Sequence, residues 1–269
     1  TLKAQLGIIE QLQPSPQNSA INYELDFAEP SQPIIQRQPN AEEKIRLFMS
    51  LFKGRTDVYA KRWQSKDHRT GYAPVCLNEW KSGLCRKPTV KCIDCLHRSY
   101  DALDEKVIDA HLRGNIVVGI YPLCLDETCH FLAIDFDDEG WQQDCTTLRE
   151  ICVAFDIPVA LERSRSGNGA HAWFFFELPV PAILARKFGS ALLTCAMHRR
   201  HELTFKSYDR FFPNQDTLPK GGFGNLIALP LQKNPREHGN SVFVNEHFQP
   251  YEDQWKFLSD AVKLTASAI

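Results

Sequence analysis

No stretch of this chain is apolar for long enough to cross a bilayer. Its longest hydrophobic runs, Ile116–Leu125 and Ala172–Phe176, fall well short of the ~18–20 residues a span needs, and the sequence excludes a membrane partner. Neither sign of charge dominates: 31 Lys and Arg face 33 Asp and Glu, a net of −2, which argues against a bulk polyanion binder and leaves only local patches. Gly and Pro, at 14 and 16 of 269 residues, are too few for a collagen-like or mucin-like chain, and 43% hydrophobic content is too high for a disordered one. There is no internal repeat. An initiator Met and a basic-then-apolar leader are missing as well, so the sequence reads as a piece of a longer chain, with residues 261–269 leading into further domains. Nine cysteines without a secretory leader indicate a reducing, cytoplasmic setting and favour metal binding over disulfides.

What is there changes character along the chain. Residues 1–39 are rich in Gln, Pro, Ser and Asn and read as a flexible tail or linker, with a short helix near Leu6–Leu12. Globular sequence begins near Asn40, the N-cap of a helix over Ala41–Phe52 that sets Ile45, Phe48, Leu51 and Phe52 at helical spacing. A cysteine-bearing, loop-rich stretch with little room for regular structure follows. Then come strands over Ile116–Leu125 and His130–Asp137, read as a hairpin through Asp126-Glu127-Thr128-Cys129, and a helix over Trp141–Phe155. Strands Val159–Ser164 and His171–Leu178 flank a Gly-rich turn, a helix covers Ile183–His198, and short strands Leu203–Arg210, Asn225–Leu231 and Ser241–Val244 close the series. The order is α+β: a mainly antiparallel sheet with helices packed on one face.

Charge is segregated. Lys53 to Arg98 holds eleven Lys and Arg, among them Lys53, Arg55, Arg62 and Lys66, against four acids, a net of +7; Asp126 to Asp144 holds seven acids and no Lys or Arg. A polyanion clamp beside a cation site has this pattern, and so do two solvated faces of opposite sign. Within the basic segment, Cys76, Cys85, Cys92 and Cys95 are spaced C-x8-C-x6-C-x2-C. The short final spacing lets two thiolates reach one tetrahedral ion, and four thiols in a polar segment have no core to bury them. This reads as a structural zinc insertion at 71–98, in which His97 can replace one thiolate, Cys76 before the others.

In Phe131-Leu132-Ala133-Ile134-Asp135-Phe136-Asp137 alternation puts Asp135 and Asp137 on one face of a strand, with Ile134 and Phe136 on the other. Two carboxylates so placed repel unless a cation lies between them, and hard oxygen ligands select magnesium or manganese. A strand end running into solvent gives the same motif. Ser164-Arg165-Ser166-Gly167-Asn168-Gly169-Ala170-His171 then places two glycines, two hydroxyls and an imidazole in a turn where backbone N–H groups can approach an anion such as a triphosphate. Hairpin turns without ligands also carry glycines.

Asp135-x-Asp137, then Ser164-x-Ser166-Gly-x-Gly-x-His171, then an acid ahead of a strand ending in Leu-Pro, resembles the archaeo-eukaryotic primase superfamily of primase-polymerases. The chain is most similar to the primase domain of TOTE conflict systems and to CRISPR-associated primase-polymerases. The stretches Asp57-Val-Tyr-Ala-Lys-Arg62, Gly71-Tyr-Ala-Pro-Val-Cys76-Leu-Asn-Glu-Trp80, Gly119-Ile-Tyr-Pro-Leu and Gly222-Phe-Gly-Asn-Leu-Ile-Ala-Leu-Pro-Leu-Gln232 add to the likeness, which covers about residues 41–250. It implies an RRM-like sheet, an N-terminal α/β part and a catalytic domain over 40–260. It also implies template-directed nucleotidyl transfer by two metals on Asp135, Asp137 and a third acid, either Asp209 or its rival Asp216. Ser164, Ser166, Gly167, Asn168 and His171 are then the nucleotide contacts. Asn225 stands where related primases place an Arg, so Lys220, Gln232 or Lys233 takes over that phosphate contact.

On this reading the substrates are nucleoside triphosphates with a single-stranded DNA or RNA template and a primer. Lys53, Arg55, Arg62 and Lys66 track the template backbone, and Tyr59, Trp63 and Trp80 are candidates to stack on bases. A helicase, a nuclease or CRISPR adaptation proteins are the expected partners, fused or separate. Two other readings stay open: a two-metal nuclease or phosphodiesterase, although no His-x-His pair with a nearby catalytic Tyr is present, and a non-catalytic zinc-bearing module for single strands.

Overall fold

The computed structural model describes residues 39–137, 139–199 and 207–269. The N-terminal tail, its Leu6–Leu12 helix and the first residues of the Leu203–Arg210 strand lie outside the described residues. Helix α1 (Ala41–Leu51) starts at the N-cap read from the sequence: Asn40 Oδ1 accepts from the Glu43 N–H at 2.9 Å while Glu43 Oε2 accepts from the Asn40 N–H at 2.7 Å. This capping box satisfies two N–H groups that the helix itself leaves open. Ile45, Phe48 and Leu51 form the buried stripe of α1.

The strands form two sheets. The first, in the order β2-β1-β3-β8, joins β1 (Ala60–Gln64), β2 (Thr70–Pro74), β3 (Val118–Ile120) and β8 (Ile227–Ala228). The second, in the order β7-β4-β6-β5-β9, joins β4 (Thr128–Asp137), β5 (Ala160–Arg163), β6 (Gly169–Pro181), β7 (Tyr208–Phe212) and β9 (Val242–Phe243). All the paired strands of both sheets run antiparallel. This corrects the expected hairpin between Ile116–Leu125 and His130–Asp137. The extended part of the first segment is only β3, which pairs with β1 and β8, so the two segments belong to different sheets. The β1–β2 hairpin, inside the stretch expected to be loops, escapes the sequence reading, as do the short C-terminal helices and helix α2 (Glu105–Leu112), capped by Asp104, whose side chain accepts from the Val107 N–H.

The five-stranded sheet carries apolar side chains on both faces. Leu132, Ile134 and Phe136 of β4 stand opposite Phe174, Ala172 and Ala170 of β6 and face α3 (Trp141–Ala154) and α4 (Ala182–Arg199). Phe174 meets Phe188 of α4 with ring centroids 5.5 Å apart. On the other face Phe52, just past α1, packs edge-on against Trp173 at 5.0 Å and Phe175 at 5.4 Å. Helices on one face only is therefore corrected: α3 and α4 cover one side, while the end of α1 meets the other. Short helices α5 (Lys233–Arg236) and α6 (Gln254–Ser259) complete the chain. Among the described residues no helix is long and apolar enough to cross a membrane, and all nine cysteines are free.

Candidate active site

One row of side chains crosses four neighbouring strands. The register aligns Glu162 of β5 with His171 of β6, His171 with Asp135 of β4, and Asp135 with Arg210 of β7. Acid, base, acid, base is the order in which cross-strand pairs attract at every step. His171 Nδ1 lies 2.9 Å from Glu162 Oε2 and its Nε2 3.4 Å from Asp135 Oδ1. The same Glu162 oxygen accepts from Trp173 Nε1 at 3.0 Å, and Oε1 lies 3.4 Å from Ser241 Oγ. Arg210 donates to Asp209 Oδ2 at 2.6 Å.

On the Asp135 side of this row Asp137 and Asp209 converge: one carboxylate oxygen from each of the three lies within 4.8 Å of the others. Asp135 is buried. Burial, reinforced by the charges of Asp137 and Asp209, lifts its carboxyl to about 6 against the opposing pull of His171 and Arg210. Burial alone would discharge His171, but the bonded Glu162, followed by Asp135 and Asp137, holds its pKa up at about 9. Three hard oxygen donors converging on one point, two of them adding to the raised proton affinity of Asp135, fit a divalent cation such as magnesium or manganese. Asp209 thus joins the pair read from β4. Its rival Asp216 is paired with Arg186 of α4 instead.

The Ser-Gly turn links β5 to β6. Ser164 N–H donates to Gly169 O at 2.9 Å, Gly167 N–H to Ser164 O at 3.1 Å and Asn168 N–H to Ser166 Oγ at 3.2 Å, with the two Ser hydroxyls 3.1 Å apart. Gly167 has φ 83°, a conformation glycine adopts without a Cβ clash. Gly169 is required for another reason. A Cβ there would stand 2.4 Å from Phe136 O and 2.7 Å from Asp137 Oδ1, so its bareness lets β6 close onto the strand that carries the acids. Arg165 of the turn donates to Gln232 Oε1 and lies near Arg62, whose charge lowers its pKa after burial has done so.

The remaining expected residues spread out. Arg55 is turned inward, its Nε donating to Asp57 Oδ1 at 2.9 Å and its guanidinium 5.4 Å from the Phe223 ring, because the buried chain around it supplies an ion pair. Lys53 is exposed beside His130, at the end of β4 away from Asp137, and Lys66 is exposed in the β1–β2 turn. Lys233 opens α5 with its stem over Gly114, where an added Cβ would lie 2.8 Å away. Asn225 braces β7, its Nδ2 donating to Phe211 O at 2.8 Å and its Oδ1 accepting from the Asn214 N–H at 3.1 Å. Tyr59 is buried and its hydroxyl donates to Asp101.

Cys76, Cys85, Cys92 and Cys95 line one small cavity with Lys87 and His97. The Ser99 N–H donates to Cys76 Sγ at 3.5 Å. Among the described residues only the Asp triad brings three or more ligand atoms within 4.8 Å of one another, so the thiols ring the cavity without closing on a point. Soft thiols facing one space fit zinc by donor chemistry.

Two contributors escaped the sequence reading. Glu162 was findable, because closing the hairpin on Ser164 and Gly169 sets it opposite His171. Asp144 of α3 gave no signal: buried, it accepts from Ser207 Oγ at 2.6 Å, just ahead of β7, while Ser207 O accepts from the Asp137 N–H at 2.7 Å. Asp144 thus ties the segment bearing Asp209 to α3, while the Ser207 carbonyl joins that segment to the end of β4.

Residues 43–269 match the family described as TOTE conflict system, Archaeo-Eukaryotic Primase domain. No curated protein matches the chain. Among solved structures, the polymerase domain from Mycobacterium tuberculosis Ligase D in complex with DNA is similar at 15% identity and a TM-score of 0.43, over 82% of this chain and 79% of that one. The family match takes in β1 through the C-terminal residues, with the acids of β4 and β7, the Ser-Gly turn and the cysteines all inside it. The chain belongs to the archaeo-eukaryotic primase domain family of TOTE conflict systems.

Proposed function

We propose that this domain catalyses template-directed nucleotidyl transfer, as a primase, a DNA polymerase or both. The observation that carries this is the convergence of Asp135, Asp137 and Asp209 within 4.8 Å. A primer 3′-hydroxyl, or that of a first nucleotide, releases its proton to water and forms a bond from its oxygen to the α-phosphorus of the incoming triphosphate; the α–β bridging P–O bond breaks and pyrophosphate leaves. Magnesium or manganese held by the three carboxylates would lower the hydroxyl pKa and offset charge on the leaving pyrophosphate.

The chain's own residues supply position and field. Asp135 and Asp137 reach the reacting centre from one strand and Asp209 from its neighbour. With Asp135 engaged on a cation, His171 Nε2, 3.4 Å from that carboxylate, would be available to a phosphate oxygen, and Glu162 would keep the ring charged and oriented through Nδ1. Ser164, Ser166, Gly167 and Asn168 shape the turn beside it, and Arg165 and Arg62 add positive charge there. Gln232 holds Arg165 by accepting from its guanidinium, and Lys233 follows Gln232 in the chain. Zinc on Cys76, Cys85, Cys92 and Cys95 would order residues 71–98 and leave no open position for water.

The test supplies a primed oligonucleotide with or without nucleoside triphosphates, in magnesium or manganese. The wild-type chain should lengthen the primer only when triphosphate and metal are both present, and Asp135→Ala or Asp137→Ala should fall below about a tenth of its rate. Shortening of the oligonucleotide without triphosphates would instead establish a two-metal nuclease. Ser166→Ala with His171→Ala should raise the nucleotide KM about tenfold or more per lost charge-assisted bond, at roughly 1.5–3 kcal/mol each.

A further inference from the structure

The β1–β2 hairpin has two faces, and only one looks toward the Ser-Gly turn. Arg62 and Tyr72, opposite each other in the ladder, lie close enough to Arg165 for the charges to interact. Alternation turns Lys61 and Trp63 the other way, opposite Ala73 and Gly71. There the Trp63 ring packs against Gly71: a Cβ at that glycine would stand 2.7 Å from the ring's Cζ2. Trp63 nevertheless stays 45% exposed. Across an open groove stands Trp80, 71% exposed, with its backbone at φ 61°, a region that a bulky aromatic seldom occupies without a reason. Lys87 Nζ sits 5.9 Å from the centre of the Trp80 ring. Lys61, Arg62, Trp63, Trp80 and Lys87 line the groove together, and its acid, Glu79, is already bonded to Lys87 at 2.7 Å.

Two indole plates open to water, flanked by three cations, suit one kind of occupant. Nucleic-acid bases present flat π-faces in series on an anionic backbone, and stacking on aromatic rings tolerates any sequence. A partner helix would call for a continuous apolar stripe, whereas here the apolar surface is two separate rings among charges. Arg62 borders both the groove and Arg165 of the Ser-Gly turn, so the groove adjoins the turn that leads into His171.

We propose that this groove binds a single-stranded polynucleotide, with bases stacked on Trp63 and Trp80 and phosphates on Lys61 and Lys87. Its assignment as the unpaired template rests on the nucleotidyl-transfer reading; the binding itself does not. Titrating the full chain into fluorescein-labelled oligo(dT) or oligo(rU) without added magnesium, manganese or triphosphate and without chelator, followed by fluorescence anisotropy, measures it without catalysis. Wild-type protein should raise the anisotropy, and the Trp63→Ala, Trp80→Ala double variant should bind about tenfold or more weakly. The corresponding Phe variants should keep most of the affinity, because the ring face is retained. Lys61→Ala should lower the salt slope by about 0.7.

Unaltered oligonucleotide affinity in the double Ala variant overturns the proposal. So does a loss that Phe variants share, or a protein partner that the double variant alone fails to hold. Tryptophan-dependent binding without any primer extension by the wild-type chain leaves the groove standing and sinks the transfer reading. Extension with the double variant unchanged in template affinity does the reverse.

Discussion

Asp135 is held where its charge is opposed. An unfolded carboxyl titrates near 3.8, the folded one near 6, so between these values the folded chain keeps a proton that the unfolded chain has released. The contribution of this group to stability is therefore full at low pH and is lost as pH rises through about 6, by about 3 kcal/mol at most. In EDTA, Asp135→Asn should melt above the wild type at neutral pH and no higher at about pH 4. Added manganese should raise the wild-type Tm strongly at neutral pH and weakly near pH 4, since a cation competes with the proton for the same oxygens. His171 has the same sense, in a higher pH window. Its raised pKa gives a contribution that is complete below about 6.5 and fades as pH passes about 9, so its ring carbons should report an imidazolium at pH ~8 by NMR in the metal-free chain. Glu162→Gln should return that titration toward the ordinary histidine range. Gly169→Ala should cost both stability and extension, because the obstacle is backbone oxygen of β4, whereas Gly167→Ala meets only the Asn240 side chain and pays roughly 1 kcal/mol for its φ.

Helix α2 shows how an element is held by one buried group. His111 lies fully buried, its Nε2 2.9 Å from Pro230 O and its Nδ1 3.2 Å from the Val118 nitrogen, so the neutral ring donates from Nε2 and accepts at Nδ1. Burial pushes its pKa down to about 4. The unfolded ring takes up a proton near 6.5 and the folded one does not, so stability falls as pH drops from about 6.5 toward 4. His111→Ala should lower Tm by several degrees at neutral pH, since it strands two buried backbone groups at about 1–3 kcal/mol each, and should flatten that acid limb. Asp144→Ala should weaken manganese binding while Asp135 stays in place, because only the β7 side of the triad loses its tie. The elements legible in the sequence were those whose pattern is local: the Asn40 cap, the alternation of β4, the turn before His171. The β1–β2 hairpin was not, because Ala60 is the only buried residue of β1 and Lys61, Arg62 and Gln64 surround a half-exposed Trp63, leaving no apolar alternation to read. Eight-residue α2 buries only Ile108 and His111. The division into two sheets was hidden because β3 finds its partners far along the chain in both directions. The three acids were legible through the family pattern; Asp144 was not, since nothing in a helical Asp announces a hydrogen bond to a distant strand.

At the scale of the whole molecule, the two parts of the domain are held by different means. The sheet and its helices share an apolar core, while the four cysteines ring a cavity in a segment with exposed Leu77, Ile93 and Leu96. We expect about one zinc per chain by elemental analysis, and chelation should loosen residues 76–98 to proteolysis while the far-ultraviolet circular dichroism of the rest persists. The position of the acids in the sheet order has a consequence for how the domain comes apart. Strand β4 is flanked on both sides, by β7 and β6, whereas β7 is outermost. Amide protons of Leu132–Phe136 should exchange with deuterium among the slowest in the chain, and those of Tyr208–Arg210 sooner. Partial opening would thus peel Asp209 away while Asp135 and Asp137 stay side by side, and on gentle heating the affinity for the cation should decline before the fold does.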